Sequence, residues 1–179
     1  MQFIHTLKYA SDTGCLGINA FYKQENLIFE FQISNLMYEF KTVDFQSDLY
    51  YKVVDLRERV LRLPLGLKFQ KKDLETDSNE LIYSLIVAGN PVACVQARPL
   101  GCDTVKLRQM AVEQSWQGRG LGKKIISKVE ELLRNKSYKQ VELHARKTAI
   151  GFYLKMGYEI DSDEFTEVGI PHFRMIKKL

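Results

Sequence analysis

Sulfur ligands are scarce in this chain. Only three cysteines, Cys15, Cys94 and Cys102, occur in 179 residues. The count is odd and no pair has metal-ligand spacing. None sits beside a histidine, which speaks against a reactive thiol. Buried or bystander thiols kept reduced in a cytoplasmic setting are the simple expectation, with no metal site. Long apolar runs are also missing: nothing approaches the ~20 residues that span a bilayer. The opening Met1-Gln2-Phe3-Ile4-His5-Thr6 lacks a basic stretch followed by an apolar one, so no secretion signal and no membrane partner are expected. One-sided charge is absent too. A net charge of +4 permits anionic ligands without calling for nucleic acid, and no platform interleaves aromatic with basic residues.

What is present is a foldable composition. Hydrophobic residues make up 45% of the chain. That is enough for a core that needs neither metal nor disulfide, and one ligand cleft is the default expectation. Residues 1–36 stand apart. They carry Lys8 and Lys23 against Asp12, Glu25 and Glu30, a net charge of −1, which leaves +5 for the remainder. Leu27–Ile33 reads as a strand, and a hairpin extension is expected over 1–36. The main domain is expected over 37–179, with a first strand at Tyr38–Val43.

From Asp48 to Leu63, the residues Leu49, Val53, Val54, Leu56, Val60 and Leu61 recur near helical spacing. Asp48 is a candidate cap, and Pro64 with Gly66 ends the element. Lys71–Asn79 is charged and polar and reads as loop. Strands are expected at Leu81–Ala88, Val92–Arg98 and Asp103–Val112, an antiparallel meander by loop length, with Gly89-Asn90-Pro91 as a tight turn. The period then changes. Leu121, Ile125, Val129, Leu132 and Leu133 share one face of a helix over about Gly118–Asn135. A strand at Gln140–Ala145, a helix at Lys147–Met156 closed by Gly157, and strands at Tyr158–Phe165 and His172–Lys178 complete the order. This is an α/β chain with a mixed sheet and helices on its faces.

Between the third meander strand and the long helix lies Gln117-Gly118-Arg119-Gly120-Leu121-Gly122-Lys123-Lys124. A glycine-rich turn at a helix start presents unpaired N–H groups at the positive end of the helix dipole, a natural phosphate site. Spacing separates the phosphate motifs. A P-loop would need Gly at 117 and Ser or Thr at 124, where Gln and Lys stand. A dinucleotide fingerprint from Gly118 would need Gly at 123, which is Lys. A third pattern, Gln/Arg-x-x-Gly-x-Gly/Ala, is met in full by Gln117, Gly120 and Gly122.

On that pattern, residues 105–133 resemble the acetyl-CoA-binding motif of the GNAT superfamily of N-acetyltransferases. Ala149-Ile150-Gly151-Phe152-Tyr153-Leu154-Lys155-Met156-Gly157-Tyr158 is similar to the family's second signature, in the right order with one strand between. The closing Gly169-Ile170-Pro171-His172 resembles a subgroup whose substrates are mostly unassigned. Arg146 stands where many members have Asn. The resemblance covers roughly 37–179. It implies a GNAT-type, largely antiparallel sheet flanked by helices, and transfer of an acetyl group from acetyl-CoA to a primary amine of an unidentified small molecule or peptide. A non-catalytic acyl-CoA-binding module of the same fold is the alternative, and a homodimer is compatible with either.

The resemblance also implies roles. Backbone N–H groups of Gln117, Gly118, Arg119, Gly120, Leu121 and Gly122 hold the pyrophosphate. Arg119, Lys123 and Lys124 are candidates for the 3′-phosphate, with a solvated helix face as the bland alternative. Main chain of Met110, Ala111 and Val112 polarises the thioester carbonyl. Tyr153 matches the family's general acid, against a plain core aromatic. The amine must lose a proton before attack, because a free alkylamine has a pKa near 10.4. Glu113, His144 and His172 are the candidates for that step, although a lone His is more often structural and Glu113 reads well as a solvated turn residue. Acceptor loops are implied at about 48–70 and 159–172, with Leu61–Gly66 on the acceptor side or, as the bland alternative, simply an apolar helix end.

Overall fold

Alternating side chains along Leu81–Val112 let one sheet carry a core on each face. The computed structural model describes residues 38–179. The expected N-terminal hairpin, the strand Leu27–Ile33 and Cys15 lie outside the described residues. Strands β1 (Glu39–Val43), β2 (Leu81–Val87), β3 (Asn90–Pro99) and β4 (Thr104–Val112) form an antiparallel run. Beyond it lie β5 (Gln140–Arg146), β6 (Glu159–Ile160), β7 (Phe165–Glu167) and β8 (Ile170–Lys178). The order is β1-β2-β3-β4-β5-β8-β6, with β7 also on β8, and every pairing is antiparallel except β4 with β5. The meander's first turn is Ala88-Gly89. Both residues have positive φ, 48° and 75°, as a two-residue hairpin requires, so Asn90 already belongs to β3.

One core packs under α3 (Leu121–Asn135) and the short α4 (Ile150–Leu154). Tyr83 and Leu85 of β2, Val95 and Ala97 of β3, and Val105 and Leu107 of β4 meet Leu121, Ile125, Ile126, Val129 and Leu133. The second core lies under α1 (Asp48–Arg57), where Tyr50, Val53 and Leu56 meet Ile82, Cys94 and Ala111. Each fully buried aliphatic contributes about 1.5–3 kcal/mol of gross burial energy. Cys94 is one of these core residues, with its thiol pushed up to about 12 by burial, whereas Cys102 is exposed.

Several expectations shift in detail. The α1 cap is Ser47, whose hydroxyl accepts from Tyr50 N at 3.1 Å, and Asp48 sits in the first turn. After Arg57 the helix widens into a π-turn (Glu58–Arg62) and then tightens to a 3-10 turn (Leu63–Leu65) before Gly66. Lys71–Asn79 is not a loop. It forms α2 (Lys71–Leu74) and a 3-10 turn (Glu75–Asn79), because Asp77 turns inward to a buried pair with Arg57 at 2.7 Å and accepts from Tyr50 Oη at 3.0 Å. The expected strand Tyr158–Phe165 is broken in the middle, where Ser162 Oγ accepts from Arg174 N instead of continuing a ladder. The helix expected over Lys147–Met156 opens as a 3-10 turn, Lys147–Ala149. Among the described residues, no helix is long and apolar enough to cross a membrane.

Candidate active site

The parallel pairing of β4 with β5 is short. It runs from Thr104 opposite Gln140 to Leu107 opposite Leu143 and then stops, while β5 continues to Arg146 against His172 of β8. The cause is a bulge in β4. Cys94 faces Ala111 and Gln96 faces Arg108, so Gln109 and Met110 together oppose Val95, and Gln109 takes a φ of 50°. The extra residue reverses the alternation. Val105 and Leu107 belong to the α3 core, whereas Ala111 belongs to the α1 core. Past the bulge the two strands part, and a cavity of about 760 Å³ opens between them, a size typical of ligand clefts.

The glycine turn forms one wall. Gly118 and Gly120 have φ of 74° and 77°, and a Cβ added at either would meet nothing within 4 Å, so the space beside this backbone is open. Gly120 is the N-cap of α3 and supplies no side-chain hydrogen bond, which leaves the first-turn N–H groups uncapped. Gln117 Nε2 donates to Val112 O at 3.0 Å and ties the turn to the strand end. At Gly122 an added Cβ would stand 2.8 Å from Met110 Cε and 3.4 Å from Phe152 Cζ, so the missing side chain lets α3 begin close against β4 and α4. An open glycine cradle at an uncapped helix start fits a pyrophosphate.

Met110, Ala111, Val112, Gln117, Gly118, Gly120, Leu121, Gly122 and Lys123 all line the cavity. Arg119 stacks over Trp116 at 5.0 Å, and Lys124 lies over Tyr38 at 4.8 Å. Tyr153 also lines the cavity. It is 8% exposed, packs edge-on between Phe152 and Tyr158, and burial pushes its phenol up to about 12.

Opposite stand His144 and His172. His144 Nδ1 is 2.5 Å from Glu167 Oε2, and Lys106 Nζ donates to His144 Nε2 at 2.8 Å. Burial pushes the Glu167 carboxyl up. The hydrogen bond from His144 and the nearby charges of His144, His172 and Lys106 outweigh burial and hold Glu167 below the ordinary carboxylate value. Burial lowers Lys106, against the opposing pull of Glu142 and Glu167. His172 is buried with Nδ1 on Ile170 O at 2.9 Å, and Phe165 separates the rings, edge-on to His144 and stacked on His172. Glu113 lies apart. It borders a separate, smaller depression, pairs with Arg59 at 2.6 Å and caps the turn Gln114–Trp116. The hydrogen bond from Arg59 holds its carboxyl below the ordinary value.

Sequence reasoning passed over Lys106, Glu167 and Phe165. Each is unremarkable in its own segment, and only the β4–β5–β8–β7 register brings them together. Among the described residues, no cluster of His, Cys, Asp or Glu could hold a metal.

Known proteins are similar to this chain in sequence or in fold. An uncharacterized Bacillus subtilis protein, YyaT, is 42% identical over 89 residues, 50% of this chain. The chain spans about 60% of the length of such curated relatives. Escherichia coli ElaA superposes with a TM-score of 0.69 at 20% identity, covering 79% of this chain and 99% of that one. A GNAT family acetyltransferase from Elizabethkingia anophelis, solved with acetyl-CoA bound, does so with a TM-score of 0.62 at 18% identity, over 79% and 98%. The acetyltransferase (GNAT) domain model matches residues 68–179, more than half of the sequence, and the chain belongs to that family.

Proposed function

We propose that this chain is an acetyl-CoA-dependent N-acetyltransferase acting on the primary amine of a small molecule or peptide. The observation that carries the reading is a single cavity lined by the glycine turn, the parted end of β4, Tyr153 and His144. Acetyl-CoA supplies the activated acyl group as a thioester. The N–H groups of Gln117–Gly122 and the start of α3 hold the pyrophosphate, with Lys123 as a nearby cation. Past the bulge, the backbone of Met110–Val112 has no β5 partner, while Ala111 and Val112 stay paired with β3, so the polar groups on the β5-facing edge can stabilise charge on the carbonyl oxygen.

His144 is the preferred base. With Nδ1–H donated to Glu167, the lone pair is on Nε2, and Lys106 Nζ at 2.8 Å supports a place there for a primary ammonium. An acceptor ammonium displacing Lys106 there would pass its proton to Nε2 and leave a neutral amine to attack. Tyr153, kept protonated by burial, delivers a proton to the departing thiolate. His172, with Nδ1 held by a backbone carbonyl, shapes the wall beside Phe165. The test is mass spectrometry of a metabolite extract incubated with the full chain and acetyl-CoA. Enzyme-dependent gain of acetyl groups on amines is expected. Tight binding of acetyl-CoA with no acetylated product would leave a CoA-binding module.

A further inference from the structure

The cavity wall is strongly cationic, and its cations are not equally occupied. Arg98 and Arg108 both grip Glu80, whose side chain is fully buried behind them. Lys106 serves His144 and Glu142. Arg62 and Arg146 have no carboxylate partner among the described residues. Arg146 Nη2 donates to the backbone oxygen of Leu61 at 3.0 Å. Arg62 lies over the Phe69 ring at 4.8 Å, and its buried Nε has no hydrogen-bond partner. Both residues line the cavity. Arg146 is lowered first by burial and then by the charge of Arg62, so the two guanidiniums oppose each other.

We propose that Arg62 and Arg146 form an anion-binding subsite for the acceptor, so that the substrate is a small primary amine bearing a carboxylate or phosphoryl group. This rests on the acetyltransferase reading given above. Two half-buried guanidiniums without a counter-charge among the described residues are costly, and an anion accepting from both would offset that cost. Their forked donors suit carboxylate and phosphoryl oxygens alike.

The subsite is distinct from the pyrophosphate cradle. The glycine turn reaches the cavity from the α3 face, where Leu121, Met110 and Phe152 pack. Arg62 reaches it from the α1 face, where Val60 and Leu61 pack, and the Arg146–Leu61 bond joins Arg146 to that side. A donor held at the turn therefore presents its acyl end toward an acceptor arriving from the α1 face. The acceptor's ammonium would sit at His144 with Glu167 beyond, and its anion at the arginine pair. The cavity then matches an amine with opposite charges at its two ends.

The test titrates the full chain, saturated with CoA, with two matched pairs of probes: β-alanine against n-propylamine, and O-phosphoethanolamine against ethanolamine. Calorimetry is run on wild type, Arg62→Gln and Arg146→Gln. We expect the anionic member of a pair to bind more tightly, and either substitution to weaken it by roughly 10- to 100-fold, the scale of a charged hydrogen bond. CoA affinity should stay unchanged. β-Alanine binding alone would identify a carboxylate site, and O-phosphoethanolamine alone a phosphoryl site. Equal binding within both pairs, no binding of any probe, or variants that weaken CoA in place of the probes would overturn the proposal. Arginine-dependent binding without acetylation of any probe, or of any amine in the extract, would support the subsite and count against the transferase reading.

Discussion

Replacing Tyr153 with Phe removes one oxygen and little else. The ring packs edge-on against Phe152 and Tyr158, with centroids 4.9 and 5.5 Å away, and a phenylalanine keeps both contacts. The side chain is 8% exposed, so the fold should tolerate the change. Burial holds the phenol up at about 12, which keeps it protonated across the neutral range. It can donate once per turnover, and its loss as an acid is expected only as pH approaches that value, rather than near 10 as for a free tyrosine. A positioned general acid contributes about 10²–10⁴-fold to rate. Tyr153→Phe is therefore expected to lower kcat by about 10²-fold, equivalent to roughly 2.7 kcal/mol of barrier. The acetyl-CoA KM should move by less than about twofold, because the interaction matters only in the transition state. Release of the CoA thiol, followed at saturating acceptor, measures both constants. If the variant keeps kcat within about twofold of wild type, Tyr153 is a core aromatic and the thiolate leaves without its help.

Gly120→Ala forces a non-glycine residue to a φ of 77°, at a cost of about 1–2 kcal/mol; it should lower the melting temperature and weaken CoA binding in calorimetry. Asp77→Ala strands Arg57, which is completely buried, so chemical denaturation should register a loss of roughly 3–5 kcal/mol. Glu113→Gln should leave kcat unchanged because Glu113 points to Arg59. Its stabilising effect of about 0–1 kcal/mol is expected in full above the ordinary carboxylate range, and should vanish as pH falls through the lowered value. Melting curves of variant and wild type should then converge in acid.

Much of the frame was legible because local rules dominate there. The meander strands follow from alternation and short turns, and α3 follows from the apolar stripe Leu121, Ile125, Val129 and Leu133. Two features that local patterns hide share a physical cause, which is long-range partnership. Lys71–Asn79 is polar enough for a loop, yet Asp77 is drawn inward by Arg57, twenty residues earlier. Glu130 lies on the buried side of α3 because Tyr158 and Lys177 hydrogen-bond its carboxylate, at 2.9 and 2.6 Å. Neither partner is visible from a periodicity.

The candidate site divides in the same way. The glycine turn is local chemistry: backbone N–H groups, positive φ and a helix start all lie within Gln117–Lys124, so spacing alone separates it from other phosphate motifs. The cavity it faces is not local. It exists because one extra residue at Gln109–Met110 reverses the β4 alternation and parts β4 from β5. Nothing in the pattern of Asp103–Val112 marks that slip. The same holds for His144 with Glu167 and for Arg62 with Arg146, pairs separated by 23 residues and by most of the sheet. The amino-acid sequence alone determined the family-like turn, the meander and long helix, and the candidates Tyr153, His144 and His172, but not Lys106 or Glu167. Tertiary structure alone decided which side chains face one cavity, and added Lys106 and Glu167 to them, because strand register and burial are properties of partners distant along the chain.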